Sequence, residues 1–275
     1  MIQELAAQFP VRALCQGLGV QRSGYYRWCR RVPGKRKTAN RLLLQVIRQT
    51  HLESRQTYGS PRITRQLRRQ QVACSENRVA RLMRREGIRA KQKRPFRPRT
   101  TEASPQAPAP NRLKGLAVEQ PDRAWVADLT YLWTAAGWVY LAAVMDLYSR
   151  KIVGWSIGPS LEAQLVKEAL KQAWALRRPA PGLLHHSDRG IQYTSSAFQA
   201  LLHSYHMLPS LSAKGNCYDN AAMESFWSTL KTELVQDRSF ADLAQLRLAV
   251  FDYIETFYNP KRLHSALGYK SPVDF

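Results

Sequence analysis

Acidic residues are scarce in the first part of this chain. Residues 1–120 hold 27 Lys or Arg but only 6 Asp or Glu, an excess of +21, whereas residues 121–275 hold 15 against 14. A basic front part joined to a near-neutral remainder reads as a polyanion binder followed by a packed domain. Cysteine is sparse as well. Cys15, Cys29, Cys74 and Cys217 are scattered and no CxxC occurs, which leaves no metal knuckle and reads as reduced thiols of a cytosolic protein. Long apolar runs are missing: the longest, Trp138–Met145, is far too short to span a bilayer, and the N-terminus has no signal-peptide core. No lipidation signal and no single long amphipathic helix accompany the basic charge. Nucleic acid, not membrane, is therefore the expected polyanion, and the expected setting is cytoplasmic and nucleoid-associated.

Against this background three carboxylates stand out. Asp128 interrupts a strand-like run, Trp125–Tyr131; Asp188 follows the apolar pair Leu183, Leu184; and Glu224 sits in a helical pattern, with 35 residues between the last two. Two strands and one helix that converge their acids make a site for hard divalent cations, which take oxygen ligands. Two such ions about 3.5–4 Å apart stabilise both the attacking and the leaving oxygen of an in-line phosphoryl displacement. At about 100° per residue, Met223, Phe226, Trp227, Leu230 and Leu234 form an apolar stripe. Asn220, Glu224, Ser228 and Lys231 lie beside it, so a helix packed on a sheet would aim a carboxylate and a lysine at one edge. Any one of these acids alone reads as a solvated charge or a cap; the three in this context read as a site. Asp146, on a strand near Asp128, reads as a decoy or a supporting group. His186, just ahead of Asp188, reads as a packed, hydrogen-bonded histidine in preference to a phosphate contact.

In chain order, residues 1–31 read as a helix-turn-helix-like segment: two helices around Gly17–Val20, the second bearing Tyr25, Tyr26, Trp28 and three arginines. Residues 39–87 read as a trihelical domain. Leu42, Leu43, Leu44, Val46 and Ile47 mark its first helix, Ser60-Pro61 the start of the second, and Ser75 caps a third that Gly87 ends. Arg78, Arg81 and Arg85 share the outer face of that third helix and are candidates for DNA contact, against the alternative of a solvated arginine face. Residues 88–119 form a basic arm (Arg89, Lys91, Lys93, Arg94) and a Pro/Ala-rich linker. From residue 120 the pattern predicts strands over 125–133, 138–148 and 152–157, a helix over 162–176, the Asp188 strand, a helix over 196–206, a strand over 208–211 and the Glu224 helix. A last helix over 241–258 carries an apolar seam of Leu243, Leu246, Val250, Tyr253 and Phe257.

The words WVADLTYL, VMDLYSRKIVGW, HSDRGIQY, KGNCYDNAAMESFW and YNPKRLHSALGYKSPVDF, in this order, resemble the catalytic protein of bacterial insertion sequences, the second-reading-frame (OrfB) type of the DDE transposase and retroviral integrase superfamily. Nearly the whole chain is covered, although nothing matches the N-terminal His/Cys zinc module of retroviral integrases. The resemblance implies an α/β catalytic domain over residues 120–275, an RNase H-like mixed sheet flanked by helices, behind all-α DNA-binding modules. It implies Asp128, Asp188 and Glu224 as catalytic metal ligands for two Mg2+ or Mn2+ ions, and Lys231 as a DNA contact. His186, Asn220 and His264 are candidates for supporting the site. Expected partners are the terminal inverted repeats of an element, target DNA, further copies of the chain on that DNA and a first-reading-frame protein. Strand transfer through a circular intermediate is implied by the resemblance alone. A nuclease with the same triad and a non-catalytic DNA-binding regulator are the alternatives.

Overall fold

The computed structural model describes residues 1–30, 34–92, 109–212 and 220–275. Three short helices open it: α1 (Ile2–Leu5), α2 (Val11–Gly17) and α3 (Arg22–Cys29). The last two are the pair expected around the glycine turn, where Gly19 takes φ +64, a left-handed backbone that glycine adopts without steric cost. Cys15 and Tyr25 pack between the helices while Tyr26 and Trp28 stay exposed.

The trihelical unit consists of α4 (Lys35–Glu53), α5 (Ser60–Arg69) and α6 (Glu76–Arg85). Leu43, Leu44, Ile47, Ile63, Leu67, Val79, Leu82 and Met83 form its core. Leu42 points outward, 57% exposed, because three consecutive helical residues cannot share one face. Ser75 caps α6, its hydroxyl accepting the Arg78 N–H at 3.4 Å. Ser60 does not cap α5: Gly59 holds that position and Pro61 falls inside the first turn, where the amide it lacks would have had no partner anyway.

A five-stranded sheet follows: β1 (Ala124–Thr134), β2 (Gly137–Asp146), β3 (Ile152–Gly158), then β4 (Leu184–Ser187) and β5 (Leu208–Leu211). The spatial order is β3-β2-β1-β4-β5. The first three strands are an antiparallel meander, and β4 and β5 add in parallel on the other side of β1. Side-chain alternation sends Trp125, Ala127, Ala142, Val144 and Val153 to one face, under α7 (Ala163–Arg177) and α9 (Ser196–Ser204). Val126, Leu132, Leu141, Ala143 and Met145 go to the other. There they meet α10 (Ala221–Leu230) and α11 (Leu243–Phe251), numbered after the single-turn α8 (Ile191–Thr194). Both α10 and α11 continue as wider π-helical turns, Lys231–Val235 and Asp252–Tyr258. The expected seam of the last helix is buried at Leu246, Val250, Tyr253 and Phe257, and it packs on the sheet.

Although a long spacer joins them in sequence, the trihelical unit and the sheet-and-helix layers touch. One continuous apolar cluster runs from Ile47, Ile63 and Leu67 to Tyr253, Phe257 and Leu263. Tyr58 threads the seam: its hydroxyl donates to the Lys261 carbonyl at 3.1 Å and accepts the Leu263 N–H at 2.7 Å. Arg55 forks onto Asp252, at 2.7 and 3.0 Å. Arg69 donates to the Tyr269 carbonyl at 2.8 Å.

Candidate active site

Register builds the site. β1 and β4 run parallel with Trp125 beside His185 and Val126 beside His186; two residues further along, the same register sets Asp128 beside Asp188, just past the end of β4. Asp128 shares its face of β1 with Val126 and so looks toward α10. Burial and the adjacent Asp188 push the Asp128 carboxyl up to about 7, against the Leu129 N–H and the Trp227 indole N–H, which favour its charged form; Glu224 adds the smallest contribution. Those two donors are close, Leu129 at 2.8 Å and Trp227 Nε1 at 3.0 Å. Asp188 is raised by burial, and the Gly190 N–H at 2.9 Å opposes the rise. Gly190 has a geometric reason as well: a Cβ there would stand 3.0 Å from the Asp188 carboxylate.

The third acid stands apart. Glu224 lies in the first turn of α10 and is exposed, one turn ahead of the Trp227 indole that already occupies Asp128. Among the described residues, no three Asp, Glu, His or Cys side chains lie close enough together to hold an ion. The donor chemistry nevertheless fits a hard cation. Two half-buried carboxylates repel one another, and neither has an ion-pair partner among the described residues, which is the charge imbalance a divalent ion would relieve.

Lys231 closes one side. Its Nζ sits 4.9 Å from the Tyr131 ring centroid; burial lowers its pKa and the Asp128 charge draws it back up. Asn220, at the N-terminal boundary of α10, reaches the Ala127 carbonyl at 3.4 Å through Nδ2, and its Oδ1 is buried with no hydrogen-bond partner among the described residues. His186 is fully buried, its ring nitrogens 2.9 and 3.1 Å from the Ser210 and Ser212 hydroxyls, so it ties β4 to β5. Its neighbour His185 is buried on the opposite face against Tyr193 and Phe198, and burial together with His186 holds it down to about 3. Asp146 is fully buried and capped by the amides of Asp122 and Ser149, both at 3.0 Å, and by the Ser149 hydroxyl. It shapes the β2–β3 turn.

The other candidates lie elsewhere. Arg81 and Arg85 are exposed on α6, Arg85 paired with Glu86 at 3.1 Å, while Arg78 is half-buried and donates to Asn40 at 2.9 Å. Arg89 is exposed. Lys91 donates to the Glu233 carbonyl at 2.8 Å, so it bridges the trihelical unit to the end of α10. Lys93 and Arg94, with the Pro/Ala-rich stretch through residue 108, lie outside the described residues, as do Cys217 and the pair Gly215 and Asn216, which the sequence offers as the turn before the Glu224 helix. His264 is in the tail, its ring edge-on to Tyr258 at 5.0 Å.

Two residues at the site were not legible as functional. Trp227 counted as one member of an apolar stripe; its indole N–H is the polar handle that buried tryptophans satisfy, and a sheet acid opposite the stripe is the cue. Tyr193 lies beneath the aspartates, its buried hydroxyl unpartnered among the described residues; burial, then Asp128 and Asp188, raise its pKa. No periodicity marks it.

Known protein families match both parts of the chain. The family described as an HTH-like domain matches residues 37–96, and two described as an integrase core domain match 118–217 and 205–272. Transposase InsF for insertion sequence IS3A of Escherichia coli (strain K12) is 40% identical over 278 aligned residues, covering 100% of this chain and 96% of that protein. The insertion element IS600 uncharacterized 31 kDa protein of Shigella sonnei is 41% identical over 263, covering 95% and 97%. Among solved structures, the HTLV-2 integrase catalytic core domain in complex with magnesium is 18% identical, TM-score 0.43, covering 57% of this chain and 97% of that one. The simian T-cell lymphotropic virus intasome is 14% identical, TM-score 0.47, covering 82% and 72%. Identity of this extent over the full chain, with an integrase core behind an HTH-like domain, settles the family: the chain belongs to the insertion-sequence transposases of the InsF kind, DDE-type enzymes.

Proposed function

We propose that the chain cuts and joins the ends of a mobile DNA element by in-line phosphoryl transfer, with Asp128, Asp188 and Glu224 holding two Mg2+ or Mn2+ ions. When bound, such ions supply positive charge to the attacking and the leaving oxygens. Asp128 and Asp188 contribute fixed hard-oxygen donors from adjacent strands, and Trp227 holds the Asp128 carboxylate in one orientation. Glu224, on the helix that Trp227 anchors, is the third donor. Lys231, half-buried over Tyr131, presents an ammonium that would hold a phosphate next to the scissile one; a protonated amine has no lone pair for a metal. The nucleophile would be water for cleavage and a DNA 3′-hydroxyl for joining, so no covalent protein–DNA intermediate is required. Arg78, Arg81 and Arg85 on α6, with Arg89 and the arm residues Lys91, Lys93 and Arg94, would supply groove and backbone contacts to the terminal repeats. Several copies, and a first-frame partner, would assemble on the DNA.

The observation that carries this reading is the Asp128–Asp188 pair, two acids forced together at the parallel edge of β1 with one of them raised to about 7 by burial and its neighbour. Perturbed, clustered carboxylates are where charge-driven chemistry sits. Incubation of the protein with labelled element-end DNA and Mg2+ tests it. Cut strands that reappear joined to target DNA are the expected result. Cleavage without joining would mean a nuclease, and binding without either would mean a regulator.

A further inference from the structure

A cavity of about 270 Å³ lies behind α10, where the trihelical unit, the β2–β3 turn and the C-terminal tail meet. Three arginines line it, Arg62 on α5, Arg150 in the turn and Arg262 in the tail, together with Ser225, Thr229 and His264. Arg262 is ion-paired: it is buried and chelates Glu233 at 2.7 to 3.1 Å. Arg62 and Arg150 are half-buried and have no carboxylate within ion-pair distance among the described residues. His264 Nε2 is buried without a hydrogen-bond partner among them. Arg62 lies over the Tyr58 ring at 5.8 Å and Arg150 feels the Asp146 charge, but two half-buried cations without an ion-pair partner beside an orphaned ring nitrogen leave a surplus of positive charge and donors in one cavity.

The backbone is set to keep these groups there. Arg150 adopts φ +60, the left-handed region that a non-glycine residue enters only at a cost. Its N–H is held by the Asp146 carbonyl at 2.8 Å and its own carbonyl accepts the Tyr258 hydroxyl at 3.3 Å. His264 is fixed by a fold-back of the tail, donating to the Lys270 carbonyl at 3.0 Å while its carbonyl accepts the Tyr269 N–H at 2.7 Å. Burial and the three arginines keep the ring neutral, near 3, so a ring N–H is available to donate without adding charge.

We propose that this cavity binds one phosphate group of the DNA backbone, seated between Arg62 and Arg150. A phosphodiester supplies the negative charge that both guanidiniums lack in an ion pair and an acceptor oxygen for the imidazole. The volume is below the roughly 300–1,000 Å³ of sites that enclose drug-sized ligands, which suits a single phosphate with its sugar at the exposed rim of Ser225 and Ser265. Ser225 directly follows Glu224. The phosphate would therefore join the DNA-reading unit, through Arg62, to the helix that carries the third acid. The inference rests on the transposase reading for its source of phosphate.

Thermal melting of the full-length protein, in inorganic phosphate against chloride at equal ionic strength, tests the cavity apart from any DNA chemistry. The wild type should melt about 2–4 °C higher in phosphate, and Arg62→Gln and Arg150→Gln should each lose that rise while melting no lower than wild type in chloride. Titration of element-end duplex in Ca2+ tests the source. Each variant should bind about ten-fold more weakly, the low end for a charge-assisted contact, with the slope of log K against log salt reduced by roughly 0.9. Equal phosphate responses in wild type and variants would overturn the site. A phosphate response lost in the variants with DNA affinity unchanged would overturn the backbone as its ligand and leave an adventitious ion only. If wild type binds and joins DNA while the variants match it, the inference fails and the transposase reading stands; if wild type neither binds nor joins DNA, the reading itself fails.

Discussion

At Asp128 the needs of chemistry and of folding oppose each other. Its carboxyl is raised to about 7 by burial and Asp188, while an unfolded chain titrates it near 4. Between these values the metal-free folded protein retains a proton that the unfolded chain has released. Stability therefore falls as pH rises through that window, and the whole cost is present above it. Asp128→Asn should accordingly stabilise the metal-free protein at pH 8 by on the order of 2 kcal/mol, about half of what the shift implies at roughly 1.4 kcal/mol per unit, because water screens a half-buried carboxyl. Melting curves with and without Mg2+ check this: the variant should be the more stable without the ion and should gain nothing from it. A less stable variant in metal-free buffer would contradict the account. Trp227→Phe keeps the ring in the apolar stripe but removes the N–H that favours charged Asp128. It should lower the strand-cleavage rate about ten-fold, within the range for hydrogen bonds to charged groups, and move the acidic limb of the pH–rate profile upward. An unchanged profile would reduce Trp227 to packing.

At the scale of elements, the sheet rests on one close approach. A Cβ on Gly154 of β3 would stand 2.2 Å from the Ala169 carbonyl and 2.7 Å from the Ala173 amide. These are backbone atoms of α7 that no rotamer change can move. Gly154→Ala should therefore push α7 off the sheet and cost about 3 kcal/mol or more, at or above the upper end for overpacking, measured by urea denaturation; a cost below about 1 kcal/mol would show that the helix can slide. The strands themselves were legible, because β1 to β3 and β5 alternate or run apolar between turns and their expected bounds differ from the observed ones by two residues at most. Asp188 was legible as an acid following a short apolar strand. The π-helical turns after Leu230 and Phe251 were not, since neither proline nor glycine marks them. A wider turn is set instead by what the side chains must reach, as when Glu233 meets Arg262 and Tyr253. The same limit applies to Glu224: periodicity put it on the edge shared with Lys231, but how far it stands from Asp128 depends on where the Trp227 indole seats.

At the scale of the whole molecule, the sequence reading placed a spacer between a basic DNA-binding part and a near-neutral catalytic part. In space the two are docked. That contact was illegible because its residues, Tyr58, Phe257 and Leu263 among them, look like ordinary core positions of their own units, and only the tertiary fold brings them together. Beneath it, within the catalytic part, lies the buried Arg262–Glu233 pair, each side chain under a tenth exposed, whose Glu233 carbonyl takes the Lys91 contact. Glu233→Gln leaves a buried guanidinium uncompensated and should cost about 3–5 kcal/mol. Arg55→Ala, at a pair whose aspartate is half exposed, should cost about 1 kcal/mol or less. Equal losses in the two variants would show that burial does not govern what these two ion pairs contribute. The proposed activity has the three acids performing phosphoryl transfer on DNA held by the basic units. The most direct measurement compares wild type with Asp128→Asn, Asp188→Asn and Glu224→Gln on labelled element-end DNA, scoring binding in Ca2+ and cleavage and joining in Mg2+. The account predicts wild-type binding with cleavage and joining abolished in all three. A variant that retains most of the wild-type cleavage rate, Glu224→Gln above all, would contradict it.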